Sequence, residues 1–188
     1  MSLYRIARTV MVMSLAVVNA GCRDEPGPTQ LATGPPVCRE PPLFAAPDPA
    51  APSMFELLTS PQLTAEQERL ISLIRSRATS ARVEIAELIA DPATRLQVDA
   101  RITFPVSRTR SFTALGERVE TRATSHISWS GRLLGEHGDV QLVLTSIGMT
   151  GSLRSVPAEG ASVHYGFEPI GDRLHAIVCV DASRFMLD

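Results

Sequence analysis

The side chains that could do chemistry are few and far apart. Four histidines stand at positions 126, 137, 164 and 175, separated by 11, 27 and 11 positions. The one Glu-His pair, Glu136-His137, lies in the glycine-rich stretch Gly135-Glu136-His137-Gly138-Asp139. A hydrolytic zinc site of the helical type needs two histidines one turn apart with a glutamate between them, so that both rings reach one ion and the carboxylate reaches its water. A loop cannot offer that spacing. His164 and His175 are the pair that neighbouring strands could bring face to face, although a solvated or hydrogen-bonded histidine is the commoner role. No Gly-x-Ser-x-Gly elbow, phosphate-binding Gly-rich loop or dinucleotide fingerprint occurs. The expectation is a chain with no catalytic residues, no metal site, no cofactor and no peptidase activity, with or without added zinc.

Three cysteines, Cys22, Cys38 and Cys179, carry the remaining reactive groups. Met1 to Arg8 forms a basic start with Arg5 and Arg8, and Val10 to Val18 is an apolar run too short for a bilayer span, which needs about 20 residues. Residues 1–21 therefore read as a signal peptide. Asn19-Ala20-Gly21-Cys22 resembles the end of a bacterial lipoprotein signal, in which the cysteine is acylated and becomes the new N-terminus; ordinary cleavage near Ala20, giving a secreted protein, is the other reading. Lipidation at Cys22 would tether the chain to the inner or outer membrane of the cell envelope and leave Cys38 and Cys179 as an even pair in an oxidising compartment, able to form a disulfide. The competing reading makes Cys179, between Val178 and Val180, a buried apolar residue and Cys38 a free thiol. Without the leader, 16 arginines face 20 acidic residues, a net charge of −4, so no nucleic-acid partner is expected.

The elements that must position these groups are legible from composition and period. Residues 22–61 read as a proline-rich tether: positions 23–61 hold ten of the 14 prolines, which remove backbone donors and favour extended chain. Regular secondary structure is not expected between residue 23 and about residue 58. The folded domain is placed at residues 62–188. Thr64-Ala65-Glu66-Gln67 fits a capping box, and Leu70, Ile74 and Ala78 at four-residue spacing predict a buried helix face ending by Ser80. Residues 81–88 alternate in a strand-like way, with continued helix as the alternative. Strand runs follow at 98–104, 110–124, 127–134, 140–145, 149–156, 162–167 and 174–180, separated by short turns. The expected fold is mainly β: a small antiparallel sandwich or open barrel of about 6–8 strands, preceded by one short helix. Trp129, the only tryptophan, is expected in the core rather than at a ligand site. Gly131 and Gly151 are expected at bulges or close backbone approaches.

An ordered series of motifs adds a resemblance. Ser128-Trp129-Ser130-Gly131-Arg132-Leu133, Val140 to Leu144, Met149-Thr150-Gly151-Ser152-Leu153-Arg154, Tyr165, and the closing His175-Ala176-Ile177-Val178 with Val180-Asp181-Ala182-Ser183-Arg184-Phe185 follow in this order. Over residues 81–188 the series resembles the N-terminal pro-domain of secreted bacterial zinc metallopeptidases of the reprolysin-like class. In that family the Arg-Phe segment leads into a catalytic domain carrying the zinc helix. No such helix follows here, so the resemblance carries over neither the activity nor a metal. It implies a module that binds, inhibits or helps to fold a secreted zinc metallopeptidase, with Arg184, Phe185, Met186 and Leu187 as a protein-binding segment. The alternative is a structural or accessory envelope lipoprotein, or the remnant of a truncated metallopeptidase gene.

Overall fold

A computed structural model describes residues 50–123, 126–158, 161–171 and 173–181. All of them belong to a compact unit, Gly34–Asp188. Alternating inward apolar and outward polar residues make the strands: β1 (Phe55–Leu57), β2 (Ser80–Leu88), β3 (Arg101–Ser107), β4 (Arg110–Ala123), β5 (His126–Leu133), β6 (His137–Thr145), β7 (Gly148–Val156), β8 (Val163–Gly171) and β9 (Leu174–Val180). Helix α1 (Ala65–Ser76) joins β1 to β2, and the single turn α2 (Pro92–Arg95) joins β2 to β3.

The strands form one antiparallel sheet in the order β1-β2-β9-β8-β7-β6-β5-β4-β3. β1 nearly closes it. Phe55 pairs with Leu88 of β2, while on the other side Met54 N–H donates to the Thr103 carbonyl (2.8 Å) and Thr103 N–H donates to the Pro52 carbonyl (2.9 Å). Closure gives the edge backbone groups of β2 and β3 partners that an open sheet would leave to solvent. The strand count is nine rather than 6–8, and the extra strand is β1, inside the stretch expected to be tether. Met54-Phe55-Glu56-Leu57-Leu58 is an apolar run between Pro52 and Pro61, and burial of Met54 and Phe55 in the core outweighs the surrounding proline content. The domain boundary therefore falls before residue 54 rather than at 62, and residues 23–49 of the expected tether lie outside the described residues.

Rings fill the barrel interior. Phe167 stands 5.3 Å from Phe55 and 5.9 Å from Phe104, Phe104 stands 6.2 Å from Trp129, and Phe112 stands 5.8 Å from Tyr165, centroid to centroid. Trp129 is buried and its Nε1–H donates to the Gln97 carbonyl at 3.1 Å. Glycines make room for the indole: a methyl built on Gly131 would lie 2.5 Å from Trp129 Cη2, and one on Gly116 would lie 2.8 Å from Trp129 Nε1. Gly151 sits in unbroken register on both sides and is a close approach, whereas Gly131, in register with β6, stands opposite Gly116 where the β4–β5 register shifts, so it is a close approach beside a bulge.

Helix α1 builds a second apolar layer outside the wall. Its capping box is complete, with Gln67 N–H donating to Thr64 Oγ1 (3.3 Å) and Thr64 N–H donating to Gln67 Oε1 (2.8 Å). The buried face is Gln67, Ile71 and Ile74 rather than Leu70, Ile74 and Ala78. Leu70 is half-buried beside it, and Ala78 lies beyond the helix because Arg77 is already extended. Ile71 and Ile74 cover Ile85, Ile170, Ala176 and Val178 on the outside of β2, β8 and β9. Residues 81–88 are strand, not continued helix. Pro105 and Pro169 are tolerated within strands because each stands at a register shift, where a ladder donor is dispensable. Among the described residues no helix is long and apolar enough to cross a membrane.

Candidate functional site

The register separates the two histidines expected to face each other. His164 lies opposite Val180, which is five positions beyond His175 on β9, and that odd offset puts the two rings on opposite faces of the wall. His175 points inward and is buried. Its Nε2 accepts from Met149 N–H (3.1 Å), which leaves Nδ1–H to donate to the Arg173 carbonyl (2.9 Å). This is a fully satisfied neutral imidazole that ties β7 to the β8–β9 hairpin. Burial holds its pKa below the ordinary 6.5, against the opposing effect of the two backbone hydrogen bonds. His164 sits on the outer face beside Arg154, and burial, followed by the Arg154 charge, lowers its pKa as well, with Asp139 opposing. Among the described residues no three His, Cys, Asp or Glu side chains are grouped to hold a metal ion.

Cys179 is buried on the inward face and is disulfide-bonded, so it is at once a core residue and a half-cystine. Its partner lies outside the described residues, as do Cys22, Cys38 and the segment Arg184, Phe185, Met186 and Leu187.

Around Cys179, at the end of the barrel where β2 begins and β9 finishes, the interior turns polar. Arg82 lies opposite Cys179, and Tyr165 lies opposite it on the other side. Arg82 Nε is 3.7 Å from Glu84 Oε1. Arg110 lays its guanidinium 4.5 Å over the Phe112 ring, with Nη2 3.9 Å from Glu136 Oε2, and the hydroxyl of fully buried Ser155 donates to the same carboxylate oxygen. The Arg110 and Glu136 side chains are only 13% and 8% exposed, so this pair is far less screened than the surface pairs Arg132–Glu117 and Arg154–Asp139. The Ser155 hydroxyl is hydrogen-bonded to the Glu136 carboxylate, with His137 the next residue, at the start of β6. The cluster is suited to holding the strand ends in register. Beside it, a surface depression of about 480 Å³ is lined by Arg132, Leu133, Glu136, His137 and Ala158, among others.

A second hollow of about 490 Å³ runs between α1, the 58–63 segment, β2 and the β3–β4 turn. Leu58, Leu63, Ile71, Val83 and Ile85 line it together with the charged residues Glu68, Arg75, Glu84 and Arg108. Glu84 is paired with Arg82, whereas Glu68, Arg75 and Arg108 form no ion pair among the described residues. Two unpaired cations and one unpaired carboxylate thus border a mixed cleft. Sequence reading missed this cleft because its residues come from four separated stretches of chain. It also missed the Arg110–Glu136–Ser155 cluster, although strand parity signals two of the three: Arg110 is two positions before inward Phe112, and Ser155 is two after inward Leu153.

No protein-family model, curated protein or solved structure matches the chain.

Proposed function

We propose that the protein is a non-catalytic exported module, held at the cell envelope by a lipid on Cys22, that binds a protein partner in the cleft beside α1. The packed interior carries this reading: Phe55, Phe104, Trp129 and Phe167 are buried ring against ring inside the barrel, which favours recognition at the outer surface. The Cys179 disulfide supports residence in an oxidising compartment. The outer wall from β4 to β7 presents Glu117, Arg132, Asp139 and Arg154 in exposed ion pairs, which suits a water-facing surface. The cleft departs from that pattern, since a mixed lining with two arginines that form no ion pair among the described residues suits an extended segment that carries apolar side chains and a carboxylate.

The motif series across residues 128–185 points to a secreted zinc metallopeptidase as the partner, which the module binds, inhibits or helps to fold. The test pairs retention with maturation. Immobilised oxidised protein is expected to retain a secreted zinc metallopeptidase of the same cell, Ile71→Arg and Arg108→Glu are expected to lose it, and deletion of the gene is expected to change that enzyme's maturation. No retention together with unchanged maturation would overturn the reading in favour of an accessory envelope lipoprotein without a protease partner.

A further inference from the structure

We propose that the segment bound in the cleft beside α1 adds as a strand, pairing its backbone with the edge of β2 at Val83 and offering a carboxylate to Arg75 and Arg108. This rests on the cleft reading above and names what the cleft recognises: extended chain with an apolar residue opposite Val83 and an acidic residue close to it. The lining gives the first indication. Successive side chains of a strand point to opposite faces, so a groove lying on one face touches alternate residues. Here Val83, Glu84 and Ile85 line the cleft in succession. Val83 and Ile85 belong to the outer layer under α1, whereas Ala86, and with it Glu84 by parity, faces the barrel interior. A hollow that reaches both sets runs past the edge of the strand, where the backbone is.

The ladder identifies the backbone groups that stand there. The Ile85 carbonyl accepts from Leu58 N–H at 2.9 Å, on the β1 side of β2. Val83 has the same parity, so its N–H and C=O point to that side too, away from β9. β1 pairs with β2 only from Ala86 to Leu88, and beyond Leu58 the chain leaves for α1, so among the described residues no strand covers Val83 on this side. Such an edge is a template for a further strand, and a residue opposite Val83 would donate one hydrogen bond and accept another. The facing edge of β3 is poorly suited to the same role. Thr103 directs both backbone groups towards β1, donating to the Pro52 carbonyl (2.9 Å) and accepting from Met54 N–H (2.8 Å), and the next residue of that parity is Pro105, which has no N–H to offer. An incoming segment therefore pairs with β2. The side chain it places opposite Val83 shares the face of Val83, the layer that holds Ile71, and an apolar residue suits that place. Arg75 and Arg108 line the same hollow against Glu68, and none of the three forms an ion pair among the described residues, so the balance favours one acidic group on the segment.

Blocked hexapeptides of alternating valine and threonine, with one aspartate moved through the positions, are the probes, and the mature oxidised protein is the receptor. At saturation the best binder should slow exchange of the Val83 amide about tenfold, with β5 to β7 unchanged. N-methylation scanned along that peptide should weaken binding about tenfold at one position, where a hydrogen bond is lost and the Val83 carbonyl is left unpaired, and little at the positions on either side. Val83→Pro, which removes the edge donor but no bond to β9, should lose the peptide while keeping the parent's far-ultraviolet circular dichroism. Arg108→Glu should lose the preference for aspartate over the peptide without it. Peptides that bind with Val83 unprotected and with no sensitivity to N-methylation, yet are lost in Ile71→Arg, would overturn strand addition and leave the cleft reading in place. So would binding by no peptide, together with metallopeptidase retention that Ile71→Arg abolishes and Val83→Pro does not. A Val83 amide already protected in the free protein, whether at every concentration or only as copies associate, would overturn it as well. Failure of the cleft reading itself has a different mark, retention that survives Ile71→Arg.

Discussion

Adding one methyl at Gly131 tests whether the indole of Trp129 is the fixed centre of the core. A Cβ there would stand 2.5 Å from Trp129 Cη2 and 2.6 Å from the Leu115 carbonyl oxygen, so either the ring or the β4–β5 ladder must yield. Overpacking of this kind costs about 1–3 kcal/mol. Trp129→Ala removes the ring, leaves a large cavity and takes the donor from the Gln97 carbonyl, a loss of about 3–5 kcal/mol. The two changes are not independent, because without the ring only the backbone contact opposes the new methyl. The double variant should therefore be less destabilised than the sum of the singles by about 0.5–3 kcal/mol. Gly166→Ala is the control, since a methyl there meets nothing within 4 Å, and it should lie within about 0.5 kcal/mol of wild type.

Urea unfolding of the oxidised protein, followed by far-ultraviolet circular dichroism because the only tryptophan is being removed, gives each midpoint. Slopes that stay constant license the comparison. A Gly131→Ala variant as stable as Gly166→Ala, or strict additivity with Trp129→Ala, would refute the packing argument.

Other outcomes follow from single sites. The lowered pKa values of His175 and His164 mean that the unfolded chain binds more protons than the folded one just below pH 6.5, so their contribution to stability is complete above that value and is lost as pH falls through it. Unfolding midpoints measured from pH 8 to pH 5 should decline on the acid side, with a shallower decline in His175→Gln; identical slopes would exclude His175 as a source. Glu136→Leu should cost roughly 3 kcal/mol by stranding Arg110, and adding Arg110→Met should recover part of that, read in the same urea assay. A double variant no better than the single would show that the Ser155 bond, rather than the ion pair, is what matters. Thr64→Ala should lose about 1 kcal/mol through the capping box, and a neutral effect would mean that Ile71 and Ile74 alone hold α1 in place.

Much of the barrel was legible because most strands alternate cleanly. β4, β5, β7 and β9 were readable to within a residue or two, and Trp129 was readable as core because it shares parity with Ile127 and Gly131. Thr64 announced α1 through chemistry local to four residues. What escaped depended on neighbours distant in sequence. β1 is three residues long and set among prolines, and only its partners β2 and β3 make it a strand. The helix face was displaced by one residue because Gln67, a polar side chain that the capping box draws inward, occupies the place a reader of hydrophobic period assigns to an apolar one. His164 and His175 were separated by a parity that depends on the pairing of β8 with β9, which residue types alone do not specify.

The two ends of the barrel are finished in different ways, and the difference bears on where function resides. At the end holding the β8–β9 hairpin, the inward polar group is His175, a neutral ring with both nitrogens bonded to backbone. Nothing further is required of that end. At the other, Arg82, Glu84, Arg110, Glu136 and Ser155 gather around Cys179, and charges placed there are tolerable only while they remain paired. The cleft beside α1 shares this end through Glu84 and Arg108. Loss of the Cys179 disulfide should therefore disturb partner binding at the cleft while the His175 end and the Trp129 core stay intact, an asymmetry that a wholesale loss of fold would not produce.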